Sequence, residues 1–119
     1  MQNLNQIRAR HVLEFANFAR VKGKEGGEVI KKIPPVIMNN GIMAALAYSM
    51  DKNQQAWRLV FDAISVHLSS KEISIIPEDR NSAEMLLDYL ASKDASSTML
   101  RDITAEAGEW LNFARRLVK

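Results

Sequence analysis

With 119 residues, 47% of them apolar and 25% charged, the chain has the length of one domain and enough apolar content for one sizeable core. It contains no cysteine, which excludes disulfide frameworks, thiolate metal sites and a cysteine nucleophile, and fits a reducing compartment. Sixteen Lys/Arg against fourteen Asp/Glu leave a formal charge of +2, too small to define a partner.

The breakers are few and clustered: Gly23 to Gly27, Pro34-Pro35, Asn39-Asn40-Gly41 and Pro77. Between them the apolar spacing is helical. Residues 4–22 put Leu4, Ile7, His11, Phe15 and Phe18 on one line, widened by Val12, Ala16 and Ala19, so a long amphipathic helix is expected up to the Gly-rich break. Residues 28–33 read as a short helix stopped by Pro34, since the residue before proline is pushed out of the α region. Pro34 and Pro35 then suit the first turn of a new helix, where their missing N–H groups are not needed. Asn39-Asn40-Gly41 offers left-handed or capping positions, and Ile42 to Met50 resume an apolar helix.

Trp57, Val60, Phe61, Ile64 and Leu68 mark another helix over residues 54–69. Ile73-Ser74-Ile75-Ile76 reads as an extended connector or one short strand. Asn81-Ser82-Ala83-Glu84 has capping-box spacing and opens a helix that ends near Ser92. Ser96 or Ser97 caps the last helix, where Leu100, Ile103, Ala107, Trp110, Ala114 and Leu117 recur at three and four, the seam of helix-on-helix packing. Gly108 inside it suggests a close helix crossing. Trp57, Trp110, Tyr48, Tyr89 and Phe113 read as core residues, with service as an interface anchor the alternative for one or two of them. The expectation is an all-α fold, one compact domain over residues 1–119, with five to six helices and long first and last ones.

No apolar run approaches the ~20 residues of a membrane helix, so no membrane partner is expected. Met1 to Gln6 lack a basic stretch followed by an apolar one, so no cleaved signal is expected and the chain reads as cytoplasmic.

Catalytic chemistry finds little support in the residues. His11 and His67 fall 56 residues apart on different helices. His11 lies on an apolar line, which reads as a packed, hydrogen-bonded histidine. Its His-x-x-Glu spacing with Glu14 is a single copy, whereas a dimetal carboxylate bundle needs more than one. Glu78, Asp79, Glu84, Asp88, Asp94 and Asp102 fall on solvent faces or caps and mark no acid–base pair. Gly23-Lys24-Glu25-Gly26-Gly27 lacks the span and the closing Lys-Ser/Thr of a phosphate-cradling loop and reads as a helix connector. No catalytic residue, metal or cofactor is expected.

Charge is unevenly spread. Residues 1–60 hold nine Lys/Arg and four Asp/Glu, while residues 61–119 hold seven and ten. Such asymmetry fits polyanion binding or head-to-tail contact between copies. Arg8, Arg10, Arg20, Lys22 and Lys24 run along the first helix, and Lys31 and Lys32 follow the loop. If the short helices fold back, these seven share a face suited to phosphate. Few aromatics interleave with them, so backbone contact without sequence preference is the most such a patch supports. Taken singly, each reads more readily as an ordinary solvated cation than as a phosphate ligand.

Two segments carry a more specific signal. Ile30-Lys31-Lys32-Ile33-Pro34-Pro35-Val36-Ile37-Met38-Asn39-Asn40-Gly41-Ile42-Met43-Ala44-Ala45-Leu46-Ala47-Tyr48 resembles the "KKLPxLIxxNGLxxxLAF" stretch of the small helical subunit of the Cmr complex, the type III-B CRISPR RNA-guided effector. Glu106-Ala107-Gly108-Glu109-Trp110-Leu111-Asn112-Phe113-Ala114-Arg115-Arg116-Leu117 resembles that family's closing "EAxxWLxxFAxxL" helix, and Gln6-Ile7-Arg8-Ala9 with Leu13-Glu14 suits its first. The Gly-rich loop, Pro35 after Pro34 and the acidic centre depart from the pattern.

The resemblance implies a non-catalytic structural subunit in antiviral defence. Copies stack head to tail as a minor filament beside the backbone subunits. The partners it implies are those backbone subunits, the large subunit, neighbouring copies, and the guide and target RNA backbone. An interface that does not close on itself generates filaments, and a positive half meeting a negative half favours that order. A free-standing helical DNA-binding regulator is the alternative, with Asn39-Asn40-Gly41 as a helix-turn-helix bend. Ile42 to Met50 carries almost no polar groups to read base edges, which counts against it. An enzyme with a helical-bundle metal site is the third reading.

Overall fold

The structure, a computed structural model, describes residues 3–21 and 27–118, without the side chains of residues 20 and 21. Six helices follow one another among them: α1 (Leu4–Val21), α2 (Gly27–Asn40), α3 (Ile42–Ser49), α4 (Gln55–Ser69), α5 (Ala83–Ala91) and α6 (Ser97–Leu117). No strand occurs among the described residues. The architecture is the expected all-α one.

Helix α4 is the hub and touches all five of the others. Its stripe of Trp57, Val60, Phe61, Ile64 and Leu68 is buried, and so are Ser65, His67 and Ser69, which leaves few of its faces to solvent. The two serines resolve their hydroxyls locally: Ser65 donates to the Phe61 carbonyl at 2.7 Å and Ser69 to that of Val66 at 3.3 Å. Helix α6 is the second organiser, packing on α1, α2 and α4. Its seam residues Ile103, Ala107, Trp110 and Ala114 are fully buried. Trp110 meets Phe15 of α1 edge-on, ring centroids 5.5 Å apart. The indole N–H of Trp110 has no hydrogen-bond partner among the described residues, so its burial rests on apolar packing alone.

Several local expectations are corrected. Helix α2 runs through Pro34 and Pro35 rather than restarting there. The two prolines withhold the N–H groups that would reach the carbonyls of Ile30 and Lys31. Ile30 and Ile33 are nonetheless fully buried, and Val36 and Ile37 pack on the core, so tertiary burial on both sides of the pair carries the helix across it. The helix then stops at Gly41, whose φ of 88° and ψ of 161° suit glycine alone and turn the chain into α3.

Ile73 to Ile76 form a connector rather than a strand. Ser74 adopts a positive φ of 51°, and the amides of Ile75 and Ile76 both donate to Leu68, at 3.0 and 3.4 Å, drawing Ile76 into the core. Ser82, not Asn81, caps α5 by accepting from the Met85 amide at 3.2 Å, because the helix begins one residue later than the capping-box spacing implied, at Ala83. Ser96 caps α6 the same way, from Met99 at 3.1 Å. Gly108 marks no close crossing: a side chain there would meet nothing within 4 Å. Tyr48 is half exposed, its ring set edge-on to buried Trp57 at 4.8 Å, and Phe113 is only partly buried, while Trp57, Trp110 and Tyr89 are core residues as expected.

Candidate functional site

The seven basic candidates divide into three groups. Lys31 and Lys32 stand exposed on α2 and make no ion pair among the described residues. Arg8 and Arg10 on α1 are engaged by carboxylates. Arg20 lies in α1 with its side chain outside the described residues, and Lys22 and Lys24 lie outside them altogether. Helix α2 packs on α3, α4 and α6, while α1 packs mainly on α6 and also on α4, so α6 and α4 are the helices they share. The acidic residues expected on solvent faces or caps, Glu78, Asp79, Glu84, Asp88, Asp94 and Asp102, are all exposed.

Arg8 reaches across to α6. Its Nε and Nη2 donate to the two oxygens of Glu106, each at 2.7 Å, in the two-pronged geometry that suits guanidinium and carboxylate. The pair is mostly enclosed, with side-chain exposures of 12% for Arg8 and 7% for Glu106. The hydrogen bonds that Arg8 donates to Glu106 raise its pKa above the usual value. Burial pushes the Glu106 carboxyl up, but hydrogen bonds from Arg8 and His67 outweigh it and hold the group below the usual carboxylate range.

Glu106 also meets His67 of α4, Nε2 to Oε2 at 2.8 Å. The other nitrogen of His67, Nδ1, lies 2.7 Å from Nδ1 of His11 on α1. The far nitrogen of His11, Nε2, lies 3.3 Å from Glu72 in the α4–α5 connector, and Glu72 in turn pairs with Arg10. Arg10 keeps Glu72 below its usual value, with His11 adding to the effect. The result is one continuous chain of polar groups, Arg8–Glu106–His67–His11–Glu72–Arg10, stitching α1 to α4, α6 and the connector.

Sequence reasoning assigned no joint role to these residues, because the partners lie far apart in the chain. A signal was nevertheless present. His11 occupies a core-facing position of α1, His67 flanks the apolar stripe of α4, and Glu106 stands three residues after Ile103 and four before Trp110 on the buried seam of α6. Polar groups at inward positions require partners.

The two histidines border a groove of about 390 Å³ between α1 and α4, walled by Phe15, Phe18, Leu59 and Val66, with Glu14 and Asp62 among its polar residues. Among the described residues no group of three or more His, Asp or Glu is placed to hold a metal ion. Asp62 is already committed, accepting the Ala83 amide at 2.7 Å to steady the start of α5. Helix α3, the would-be recognition helix of a DNA reader, has no charged residue and buries Ile42, Ala45, Leu46 and Ser49. No helix among the described residues is long and apolar enough to cross a membrane.

A family model described as CRISPR-associated protein (Cas_Cmr5) matches residues 4–119, a span that runs from the start of α1 through the whole of α6. No curated protein matches the chain, and no solved structure does.

Proposed function

The chain belongs to the Cas_Cmr5 family of CRISPR-associated proteins, and from that premise we propose that it serves as a non-catalytic structural subunit of a type III-B CRISPR ribonucleoprotein. Copies stack head to tail beside the backbone subunits and help to hold guide and target RNA by its phosphates. The observation that carries the reading is the family match across residues 4–119, which takes in both segments whose wording resembles the small Cmr subunit.

The chemistry of the surface supports it. Exposed Lys31 and Lys32 offer point charges to phosphate without shape for a base, and such contacts hold a strand without reading it. The pairing of Arg8 with Glu106 and Arg10 with Glu72 ranks those arginines behind the two lysines as phosphate ligands, since an occupied guanidinium must give up one anion to take another. Arg20, Lys22 and Lys24 complete the proposed set. Each subunit needs to hold only a few phosphates, because stacking multiplies the contacts. Glu78, Glu84, Asp94 and Asp102, all exposed, supply the negative side of a head-to-tail contact.

Reconstitution tests this. An effector assembled without this chain should lose RNA retention while its backbone and large subunits still associate. Retention equal to that of the complete assembly would contradict it, as would nucleotide or RNA turnover by the purified chain that a single substitution abolishes.

A further inference from the structure

The polar chain between Arg8 and Arg10 can be counted in hydrogens, and the count does not come out even. Ionised Glu106 and Glu72 only accept. Glu106 is kept ionised by the two-pronged grip of Arg8, and Glu72 by Arg10. Nε2 of His67, 2.8 Å from Glu106, must therefore carry hydrogen, and so must Nε2 of His11, 3.3 Å from Glu72. The two Nδ1 atoms, 2.7 Å apart, form a hydrogen bond only if one of them carries hydrogen and the other is bare. Three of the four ring nitrogens thus need hydrogen. Two neutral imidazoles supply only two between them.

We propose that His11 and His67 bind one proton jointly, as a single site that ties α1 and the α4–α5 connector to α4 and α6. The surroundings fit one added positive charge. Glu106 and Glu109 face the chain from α6, Glu72 from the connector, and Glu14 and Asp62 line the groove beside the pair. Against them stand Arg8 and Arg10 on α1. His67, wholly enclosed, is pushed by burial toward its neutral form, which places the added charge on His11, with its Nδ1–H donating to the bare Nδ1 of His67. Loss of the proton leaves bare Nε2 of His11 facing the Glu72 carboxylate. A second proton sets two N–H groups head to head at 2.7 Å. Either change loosens α1. The site is independent of the filament reading and holds whether or not the subunit touches RNA.

Long-range proton–nitrogen NMR of the uniformly ¹⁵N-labelled full chain counts these hydrogens directly. On the neutral plateau, hydrogen on three of the four ring nitrogens is expected, with Nδ1 of His67 the bare one. Hydrogen on only two would overturn the proposal. Glu72→Gln gives a second, independent reading: its side-chain amide donates to Nε2 of His11 and removes the demand for the added proton. The variant should show two hydrogens on the pair, with proton uptake displaced to lower pH. A count and midpoint unchanged by E72Q would overturn the assignment. Equimolar zinc chloride should leave the spectrum unaltered, whereas displacement of hydrogen from the Nδ1 pair would make this a metal site and overturn it as well.

Discussion

Arg8 and Glu106, 98 residues apart in sequence, face each other through two parallel hydrogen bonds of 2.7 Å and join the first helix to the last. Removing one partner from such an enclosed pair strands the other charge away from water. Glu106→Ala, which also strips His67 of its acceptor, is expected to cost about 3–5 kcal/mol. Urea unfolding followed by circular dichroism measures it: the midpoint should fall while the dependence on denaturant stays the same. A change below about 1 kcal/mol, the value of an exposed pair, would contradict the enclosed geometry.

Acid should unfold the protein in two stages. Burial holds His67 below the ordinary histidine value. The unfolded chain therefore takes up this proton first, and stability declines as pH drops through about 6.5. Glu106, and Glu72 through Arg10, are held below the ordinary carboxylate value. Their contribution is present above about pH 4.3 and is lost as pH falls through their folded values. Melting temperatures should decline shallowly as pH falls from about 6.5 to 5 and then steeply toward pH 3. A flat profile from neutrality to pH 5 would contradict the enclosure of His67.

Two glycines should respond with opposite signs. Gly108 lies mid-helix, exposed, with open space where a side chain would go, so Gly108→Ala should stabilise by about 1 kcal/mol. At Gly41 the φ of 88° and ψ of 161° are nearly closed to other residues, and Gly41→Ala should cost about 1–3 kcal/mol. Thermal melts of the two variants check both. Destabilisation by G108A would mean that a partner surface presses on that turn of α6.

Much of the fold was legible because helical period and burial agree. The lines through Trp57 to Leu68 and through Ile103 to Ala114 became buried faces, while on the first helix Ile7, Val12, Phe15 and Ala19 are buried but Leu4 and Phe18, at its ends, stay exposed. What failed were positions where local rules and tertiary burial disagree. Pro34-Pro35 should end a helix by local steric rules, but Ile30 and Ile33 before the pair and Val36 and Ile37 after it are drawn to one core. Gly108 should mark a crossing by its cost, but the helix tolerates it on an open face. The polar chain was illegible for another reason. Its links span 98, 39, 56, 61 and 62 residues, and a hydrogen bond at that separation leaves no spacing to find. Only the inward direction of His11, His67 and Glu106 betrayed it. The same chain explains why charge clustering overcounted the free cations of α1: the acidic half of the sequence folds back and occupies Arg8 and Arg10.

The most direct test of the functional account is the salt dependence of RNA binding by a reconstituted effector carrying Lys31→Glu and Lys32→Glu. Both side chains are exposed and unpaired among the described residues, so the fold should be untouched. Each lost phosphate contact should flatten the slope of log affinity against log salt by about 0.7 for a single strand, multiplied by the number of copies engaged. Weaker binding with a flatter slope is the predicted result. An affinity and a slope equal to those of the unsubstituted assembly would contradict the assignment of these lysines to the RNA.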